Sequence, residues 1–528
     1  MRALLVAAAL LLAARAAPLA PAPQLDAACG SIAVRADSTG AFADACGRQR
    51  LFRGVNVVQK AFPWLPRLDA FDPFTSLAPA DLPFMRSFGV NSMRLGAMWP
   101  GFEPSPGSFN ASYLAELTRV VVAAGAAGIY SLLDAHQDAL SGATCGEGIP
   151  DGYAIAWAKG VPAFPEPLKP AFPLNGSEPS AGDCATVNWS DLYFTRAVGA
   201  AFQFLYTQEA GLAAFGAFWN AVARAVTGDA AADPYVLGID LLNEPWAGDT
   251  NADPLLLIPG VADLANLQPF FNRIGAAYRA GEARSHHPLF LSAVTWDDFI
   301  PVGFTELPGA GGGRDTSGGA VLSYHYYSYV NLEGAAGQVA IRVSDARRLK
   351  AGAMLTEFDF AQDAGNMTAL LDACDARQQG YITWEYKMFD PITGSDTGAF
   401  LGNGSVNLYA LRAFARTFPE AVAGAIQAYA FDRTSGDFSL SFAQDGAVNA
   451  STVIYACTEF FYPQGVSVTV AGPATWTIEA HEPPPPAQRA PGARFPDPTP
   501  LRWAHVLITR IEGAPALANV TVTIKPRR

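Results

Sequence analysis

The chain has 528 residues, of which 50% are hydrophobic and 16% are charged, and its formal net charge is −13 at pH 7. This length excludes a single small module, and 33 Phe, 17 Tyr and 10 Trp exclude a chain that is disordered throughout. The acidic balance and the lack of any polybasic run in the sequence exclude a nucleic-acid partner.

The N-terminus predicts export. Arg2 precedes an apolar stretch at residues 4–14, and Ala14-Arg15-Ala16 forms a small-x-small cleavage site. A membrane anchor is the alternative reading, but a spanning helix needs about 20 apolar residues, more than this stretch contains. We therefore predict a signal peptide at residues 1–16 and a protein of the secretory lumen or the exterior, whether extracellular, lysosomal or vacuolar.

Sequons agree with this route, because seven of the 16 Asn residues stand in the pattern N-x-Ser/Thr. They are Asn110, Asn175, Asn188, Asn366, Asn403, Asn449 and Asn519. The excess predicts a glycosylated, exported protein.

Six cysteines form an even set that suits an oxidising compartment, and their spacing fits no zinc site. We expect two disulfide-clamped loops, Cys29–Cys46 and Cys145–Cys184. Cys374 lies in a helix-like stretch and Cys457 in a strand-like one, so we expect both to be free thiols.

Eight short apolar, β-prone runs recur, at residues 51–56, 90–95, 128–135, 235–242, 289–294, 320–326, 353–358 and 380–385. Ala-rich segments with helical spacing lie between them, at 113–124, 194–226, 267–283 and 344–350. Such alternation predicts a parallel sheet buried on both faces, and eight strands predict a (β/α)8 TIM barrel. A doubly wound sheet competes, but no Gly-rich phosphate turn follows the first run.

Past residue 424 the pattern changes to short strand-like runs that are split by turn residues. That spacing predicts a small C-terminal antiparallel β-sandwich. The predicted domains are therefore a barrel at residues 17–424 and a sandwich at residues 425–528. Carbohydrate binding, membrane binding and simple capping of the barrel all remain open as roles for the sandwich.

Two glutamates stand at strand ends: Glu244 follows the fourth run and Glu357 ends the seventh. The carboxyl ends of barrel strands share one mouth, so both side chains would flank the same ligand. Cleavage of a glycosidic bond needs such a pair, an acid for the leaving oxygen and a second carboxyl group on the opposite face of the sugar. Glu385, beside Trp384, is a further acidic candidate.

The ordered set of strand-end residues carries a resemblance. It reads Arg94, Asp134-x-His136-Gln137-Asp138, Asn243-Glu244-Pro245, His325-x-Tyr327, Glu357 and Trp384-x-Tyr386-Lys387, with Lys60 after the first run. Over roughly residues 50–420 the chain resembles the cellulase-type glycoside hydrolase family five. Within that family it resembles the endoglycoceramidases and related glucosylceramide-cleaving enzymes, which also carry a C-terminal sandwich.

The resemblance implies that Glu244 is the acid/base and Glu357 the nucleophile. It further implies that Arg94 and Tyr327 hold Glu357 and that Asn243 bonds the sugar 2-hydroxyl. The other substrate-binding residues that it implies are Lys60, Asp134, His136, Asp138, His325 and Trp384. Neither a cofactor nor a metal is implied, because the two carboxyl groups suffice for the reaction.

Three long loops that follow predicted strands are unusually apolar, at residues 61–74, 161–174 and 253–261. An exposed apolar rim would suit an amphiphilic substrate or contact with a membrane surface. The alternative is that these loops pack on one another.

The leading hypothesis is a retaining endo-β-glycosidase that hydrolyses the linkage between oligosaccharide and ceramide in glycosphingolipids. A glucosylceramide or steryl-glucoside β-glucosidase with room for one sugar is the alternative within enzymes, followed by a cellulase or mannanase. The alternative of another class is a catalytically silent protein that binds glycans or lipids on an old barrel.

Overall fold

The computed structural model describes residues 29–35, 39–171, 179–295, 300–306, 319–327, 333–360, 364–389, 398–483 and 495–527. The predicted signal peptide at residues 1–16 lies outside them.

Eight parallel strands close into one barrel in chain order, which confirms the predicted (β/α)8 fold. They are Arg53–Val57, Ser92–Gly96, Tyr130–Asp134, Val236–Asp240, Leu289–Leu291, Ala320–Tyr326, Gly352–Phe358 and Gly380–Thr383. Every residue of these strands is buried. Burial on both faces is the reason that the strands read as continuous apolar runs.

The α-helices of the described barrel segments are Asp81–Ser87, Trp99–Phe102, Ala111–Ala126, Asp151–Trp157, Ala181–Cys184, Arg196–Thr207, Glu209–Gly228, Gln268–Arg279, Gly334–Leu349, Ala364–Ala376 and Leu408–Phe414. The predicted helix at 194–226 is two helices, because Gln208 between them is extended (φ −94°, ψ 133°). Among the described helices, none has the length and apolar character needed to cross a membrane.

Two antiparallel sheets follow the barrel and form the predicted C-terminal β-domain. One has four strands, Gly424–Phe431, Phe438–Asp445, Leu517–Pro526 and Val466–Ala471 in spatial order. The other includes Phe418–Val422, Thr452–Ala456, Trp503–Arg510 and Ala474–His481. The strand Phe418–Val422 precedes the predicted boundary at residue 425, and its Pro419 and Glu420 made it a poor match to a strand pattern.

The second sheet also contains three N-terminal strands that the sequence analysis did not predict, Ile32–Val34, Phe42–Asp44 and Gln49–Arg50. Each is only two or three residues long and lies among turn-forming residues, so no periodicity marks it. Ile32 and Phe42 belong to one apolar cluster with Phe52 and Phe290 of the barrel. The N-terminal strands therefore plug the end of the barrel at which the strands begin.

Both predicted disulfides are present, Cys29–Cys46 and Cys145–Cys184. Cys374 and Cys457 are buried free thiols, as expected.

A buried ion pair joins the barrel to the second sheet. Arg86, in the helix Asp81–Ser87, donates from both terminal nitrogens to the Glu420 carboxylate at 3.0 and 3.3 Å. His505 Nε2 lies 3.4 Å from the same carboxylate. Burial alone would raise the pKa of Glu420, but Arg86 and His505 hold it well below its ordinary value.

We expect Glu420→Ala to lower the free energy of unfolding by about 3–5 kcal/mol, because Arg86 would remain buried without its carboxylate. Chemical denaturation measures the loss. Glu459→Ala is the control, since Glu459 pairs with Arg502 at the surface and should cost at most about 1 kcal/mol. Equal losses in the two variants would contradict the role of the buried pair.

Candidate active site

Two glutamates lie close together at the mouth of the barrel. Glu244 follows the fourth strand and Glu357 is near the end of the seventh. His325 Nδ1 lies 2.7 Å from a Glu244 oxygen and 3.8 Å from a Glu357 oxygen. One oxygen of each carboxylate and a ring nitrogen of His325 all lie within 4.8 Å of one another. This spacing is near the roughly 5–5.5 Å between the carboxyl groups of retaining glycosidases and well below the roughly 6.5–9.5 Å of inverting ones.

Two donors hold the Glu357 carboxylate. The Tyr327 hydroxyl donates to Oε1 at 2.6 Å, and Arg94 Nη1 donates to Oε2 at 3.3 Å. Because one donor is charged and both are aimed at a carboxylate, they orient the group and stabilise its negative charge.

Glu244 lies on a backbone that the neighbouring loop holds in place. Its φ is +36°, a left-handed conformation that costs a non-glycine residue about 1–3 kcal/mol. Gln137 Nε2 donates to the carbonyl oxygens of Asn243 and Glu244 at 2.8 and 2.9 Å, and Asn243 Nδ2 donates to the Gln137 carbonyl at 2.9 Å. Gln137 is thus a positioning residue that the sequence analysis quoted within its motif but did not assign to the site.

Arg94 is fully buried below the two glutamates, and all its guanidinium nitrogens are engaged. It donates to five side-chain oxygens at 2.8–3.3 Å, from Asn243, Asp134, Asp240, Asn56 and Glu357. Burial opposes the charge of Arg94, but the surrounding carboxylates raise its pKa above the ordinary value. Arg94 is therefore the cation that neutralises the buried carboxylates of the mouth.

A second polar cluster lies beside the glutamate pair. His136 Nδ1 is 2.8 Å from Asp134, and its Nε2 is 3.6 Å from Asp138. The ring of His136 stacks on Trp384 with centroids 5.2 Å apart. Lys60 lies 4.7 Å from the centre of the Trp384 ring. Lys60 also forms a very short ion pair with Asp138.

Glu147 also belongs to this cluster, although the sequence did not predict it there. Its Oε1 is 3.2 Å from Lys60 Nζ, and its backbone exchanges two hydrogen bonds with Asp138 at 2.9 and 3.0 Å. The Cys145–Cys184 disulfide begins two residues earlier in the same loop. That position beside a predicted disulfide was the signal available in the sequence. Burial and the Asp138 carboxylate raise the pKa of Glu147 to about 8 against the opposing charge of Lys60.

Two buried histidines carry raised pKa values. Burial alone would lower the pKa of His325, but Glu357 and Glu244 raise it to about 9. In the same way Asp134 and Asp138 raise the pKa of His136 to about 9 against its burial. The neighbouring carboxylates thus favour the charged form of both rings against their burial.

Within the described residues, two groups at the mouth have the ligand types of a metal site: His136, Asp138 and Glu147, and Glu244, His325 and Glu357. In each group a cation already contacts the carboxylates, Lys60 in the first and Arg94 in the second. These positive charges oppose the entry of a further cation. The absence of a metal stays a prediction.

Glu385, the further acidic candidate, is buried and follows a cis peptide bond after Trp384. Burial alone would lower the pKa of Lys60, but Asp138, Glu147 and, to a smaller extent, Glu385 raise it well above the ordinary value, so Glu385 lies near Lys60. All nine predicted substrate-site residues and both predicted catalytic glutamates thus lie in two adjoining clusters at the barrel mouth.

The three apolar loops divide between packing and exposure. Leu65, Phe71, Phe164 and Leu256 are buried, as the packing alternative requires. The side chains of Phe62, Leu255 and Ile258 are 85%, 61% and 51% exposed, and Leu168 is also exposed. We call these four exposed residues the apolar rim. The rim belongs to loops that follow the first, third and fourth strands, on the same end of the barrel as Glu244 and Glu357.

Two family matches cover most of the chain. Residues 73–390 match the family described as "Cellulase (glycosyl hydrolase family 5)", and residues 416–484 match "Glycoside hydrolase family 5 C-terminal domain". An "Endoglycoceramidase" of Cyanea nozakii is 38% identical over 439 residues, which cover 81% of this chain and 84% of that protein. An "Endoglycoceramidase" of Hydra vulgaris is 38% identical over 432 residues and 81% of each chain.

Among solved structures, the chain resembles Endo-glycoceramidase II from Rhodococcus sp., described as a "Ganglioside GM3 Complex". The TM-score is 0.67 at 20% identity, and the match covers 92% of this chain and 98% of that one. At this identity the likeness shows the fold.

The histidine pKa values predict how stability depends on pH. Each raised histidine pKa stabilises the folded state, and this contribution is complete at pH values below about 6.5, the pKa of histidine in the unfolded chain. The contribution is lost as the pH rises through about 9, the pKa in the folded state. We expect the free energy of unfolding to fall across this window by at most about 3 kcal/mol for each histidine.

Chemical denaturation at several pH values measures this fall. In His136→Asn/His325→Asn the pH dependence should flatten, whereas His286→Asn, an exposed control, should follow the unchanged protein. The same slope in all three proteins would contradict the assignment.

Proposed function

The chain belongs to glycoside hydrolase family 5 and is a glycoside hydrolase. From that premise we propose that it cleaves glycosphingolipids between the oligosaccharide and the ceramide, with retention of configuration. The mechanism is supported above all by one observation: an oxygen of Glu244 and an oxygen of Glu357 lie within 4.8 Å of each other at the barrel mouth. This proximity matches retaining glycosidases, in which the second carboxylate itself is the nucleophile, better than inverting ones, which leave room for a water molecule between the two groups.

In the first step Glu357 attacks the anomeric carbon while Glu244 donates its proton to the glycosidic oxygen, and the lipid alcohol leaves. A covalent glycosyl ester on Glu357 forms, with the configuration inverted once. In the second step Glu244 takes a proton from water, the oxygen of that water attacks the same carbon, and the ester bond breaks. Glu244 is then protonated again, Glu357 is a free carboxylate, and the configuration is retained overall.

The neighbouring residues fit this cycle. Arg94 and Tyr327 keep Glu357 oriented and charged before attack and stabilise it as the leaving carboxylate in the second step. His325 contacts Glu244 at 2.7 Å and holds it toward the bond that breaks. Lys60, His136 and Asp138 would hydrogen-bond sugar hydroxyls as the polar wall of the sugar site.

Asn243 and Trp384 already have partners in the protein, which restricts how each can contact the sugar. Both polar atoms of the Asn243 side chain already have partners, so its bond to the sugar 2-hydroxyl uses the second N–H of the amide. Trp384 is stacked on His136, so a sugar would contact the part of the indole that His136 does not cover.

A lipid-linked substrate is supported by the apolar rim. Phe62, Leu168, Leu255 and Ile258 expose apolar surface on loops at the mouth end of the barrel, the end from which the aglycone must extend. The relatives named endoglycoceramidase point to the ceramide class. The rim also fits contact with the surface of a lipid aggregate.

We further propose that the protein is exported and glycosylated. Six of the seven sequon asparagines lie within the described residues, and all six are exposed. Asn175 lies outside the described residues. Exposure is what a glycosyl chain requires, and two disulfides suit an oxidising compartment.

Substitution of each glutamate should affect two substrates differently, which distinguishes the roles of Glu244 and Glu357. Glu357→Gln should abolish hydrolysis of both a ganglioside and an aryl β-lactoside, because both need the nucleophile. Glu244→Gln should lower ganglioside hydrolysis by about 10²–10⁴-fold but spare formation of the glycosyl-enzyme from the aryl lactoside, whose leaving group needs no acid. Release of ceramide and of the aryl alcohol measures the two reactions.

Glu116→Gln on a surface helix is the matched control and should leave both rates unchanged. If Glu385→Gln removed both activities and Glu357→Gln did not, the nucleophile would be Glu385. If no glycolipid were cleaved but a soluble polysaccharide were, the ceramide assignment would be wrong while the family would stand.

The apolar rim predicts a difference between lipid and soluble substrates. Phe62→Ser/Ile258→Ser should lower the kcat/KM for ganglioside micelles at least about fivefold, because about 1 kcal/mol of apolar contact is lost. The rate on the soluble aryl lactoside should change by less than about twofold. Leu517→Ser, an exposed leucine of the C-terminal sheet, is the control and should change neither rate. Equal losses on both substrates would contradict a role in lipid binding.

A further inference from the structure

A cavity of about 560 Å³ lies at the end of the barrel opposite the mouth. Its walls come from the N-terminal strands, from the ends of the helices Gly334–Leu349 and Ala364–Ala376, and from the strand Gly424–Phe431. Ala353 lines the cavity at the start of the seventh strand, whereas Glu357 lies four residues further, about 13 Å along the strand. The cavity is therefore separate from the active site.

The wall of this cavity is positively charged. Four of its fifteen lining residues are arginines, Arg35, Arg50, Arg347 and Arg377, and none of the described lining residues is Asp or Glu. In the described part of the chain, Arg35, Arg347 and Arg377 form no ion pair, although the protein carries a net charge of −13. Unpaired guanidinium groups around one concave space produce a local positive potential that attracts anions.

Arg50 also lines the cavity, as a buried cation that protein groups already engage. It is 1% exposed, and its Nε and Nη1 donate to the Glu420 carbonyl, to Asp44 and to Tyr130. Its Nη2 is buried and has no hydrogen-bond partner within the described residues. A buried donor without an acceptor costs about 1–3 kcal/mol. Because protein atoms cover Nη2, an anionic oxygen in the cavity would reach it only after the Arg50 side chain shifts.

We propose that this cavity binds a small polyanion, a ligand with two or more phosphate or sulfate groups. Guanidinium groups bind such oxyanions with paired, charge-assisted hydrogen bonds, and the three that form no ion pair match more than one anionic group. The volume falls within the roughly 300–1,000 Å³ of small-molecule sites. Because three parts of the chain form the wall, the bound ligand ties the N-terminal strands, the barrel and the C-terminal sheet together and raises Tm.

Calorimetric titration of the full-length protein tests the site, with tripolyphosphate, pyrophosphate and sucrose octasulfate as probes in about 50 mM NaCl, where charges are weakly screened. We expect one probe molecule to bind per chain and Tm to rise. Arg347→Gln/Arg377→Gln should weaken binding at least about tenfold through loss of two charged contacts. These two side chains are exposed, so the variant should fold. Arg50 is fully buried and is therefore left unchanged in the test.

The matched control is Arg224→Gln/Arg284→Gln, which removes two exposed arginines outside the cavity and the same net charge. It should weaken binding by less than about twofold. Binding of the phosphates only or of the sulfated sugar only would support the site and identify the anion. Absence of binding of all three probes, equal weakening in both double variants, or competition of the probe with the glycolipid substrate would overturn the proposal.

Discussion

The mouth of the barrel depends on the burial of one guanidinium group, that of Arg94. Asp134, Asp240 and Glu357 come from three different strands and point at this single cation. Carboxylates buried without compensation cost several kcal/mol each, so the three could not share this space without it. Lysine could not replace Arg94, because an ammonium group has three donors whereas five oxygens are bound here. Arg94 also bonds Asn243 and so fixes the residue that precedes Glu244.

The sequence was sufficient to predict the parts of the molecule that repeat a physical pattern. The eight strands are buried on both faces, so each appears as an apolar run, and the polar residues after them necessarily meet at one end. For that reason the sequence alone predicts that Glu244, Glu357 and their neighbours lie close together. The two disulfides were expected as loop clamps because Gly or Asp lies near each Cys and no helical periodicity separates the partners, but the sequence left their pairing open.

What could not be predicted depends on contacts between residues that are remote in sequence. Glu147 belongs to the polar cluster beside the glutamate pair because two backbone hydrogen bonds place it beside Asp138, and no motif records that pairing. The strand Gln49–Arg50 exists because Phe418–Val422 pairs with it. Arg347 and Arg377 look like ordinary surface cations at helix ends until the fold brings them to one cavity. In each case tertiary pairing, not local propensity, decides the structure.

The pairing between the two ends of the chain has a consequence for biosynthesis. Arg50 and the Glu420 carbonyl that it binds are 370 residues apart, so the N-terminal strands are made first and receive their sheet partner last. At about 5–20 residues per second, translation leaves these strands without a partner for roughly 20 to 75 s. On the proposed secretory route, the Cys29–Cys46 disulfide, which joins residues only 17 apart, can form in that interval. It would keep the edge of the strands preorganised while the barrel is synthesised, at the time when an open edge is most prone to pair with other chains.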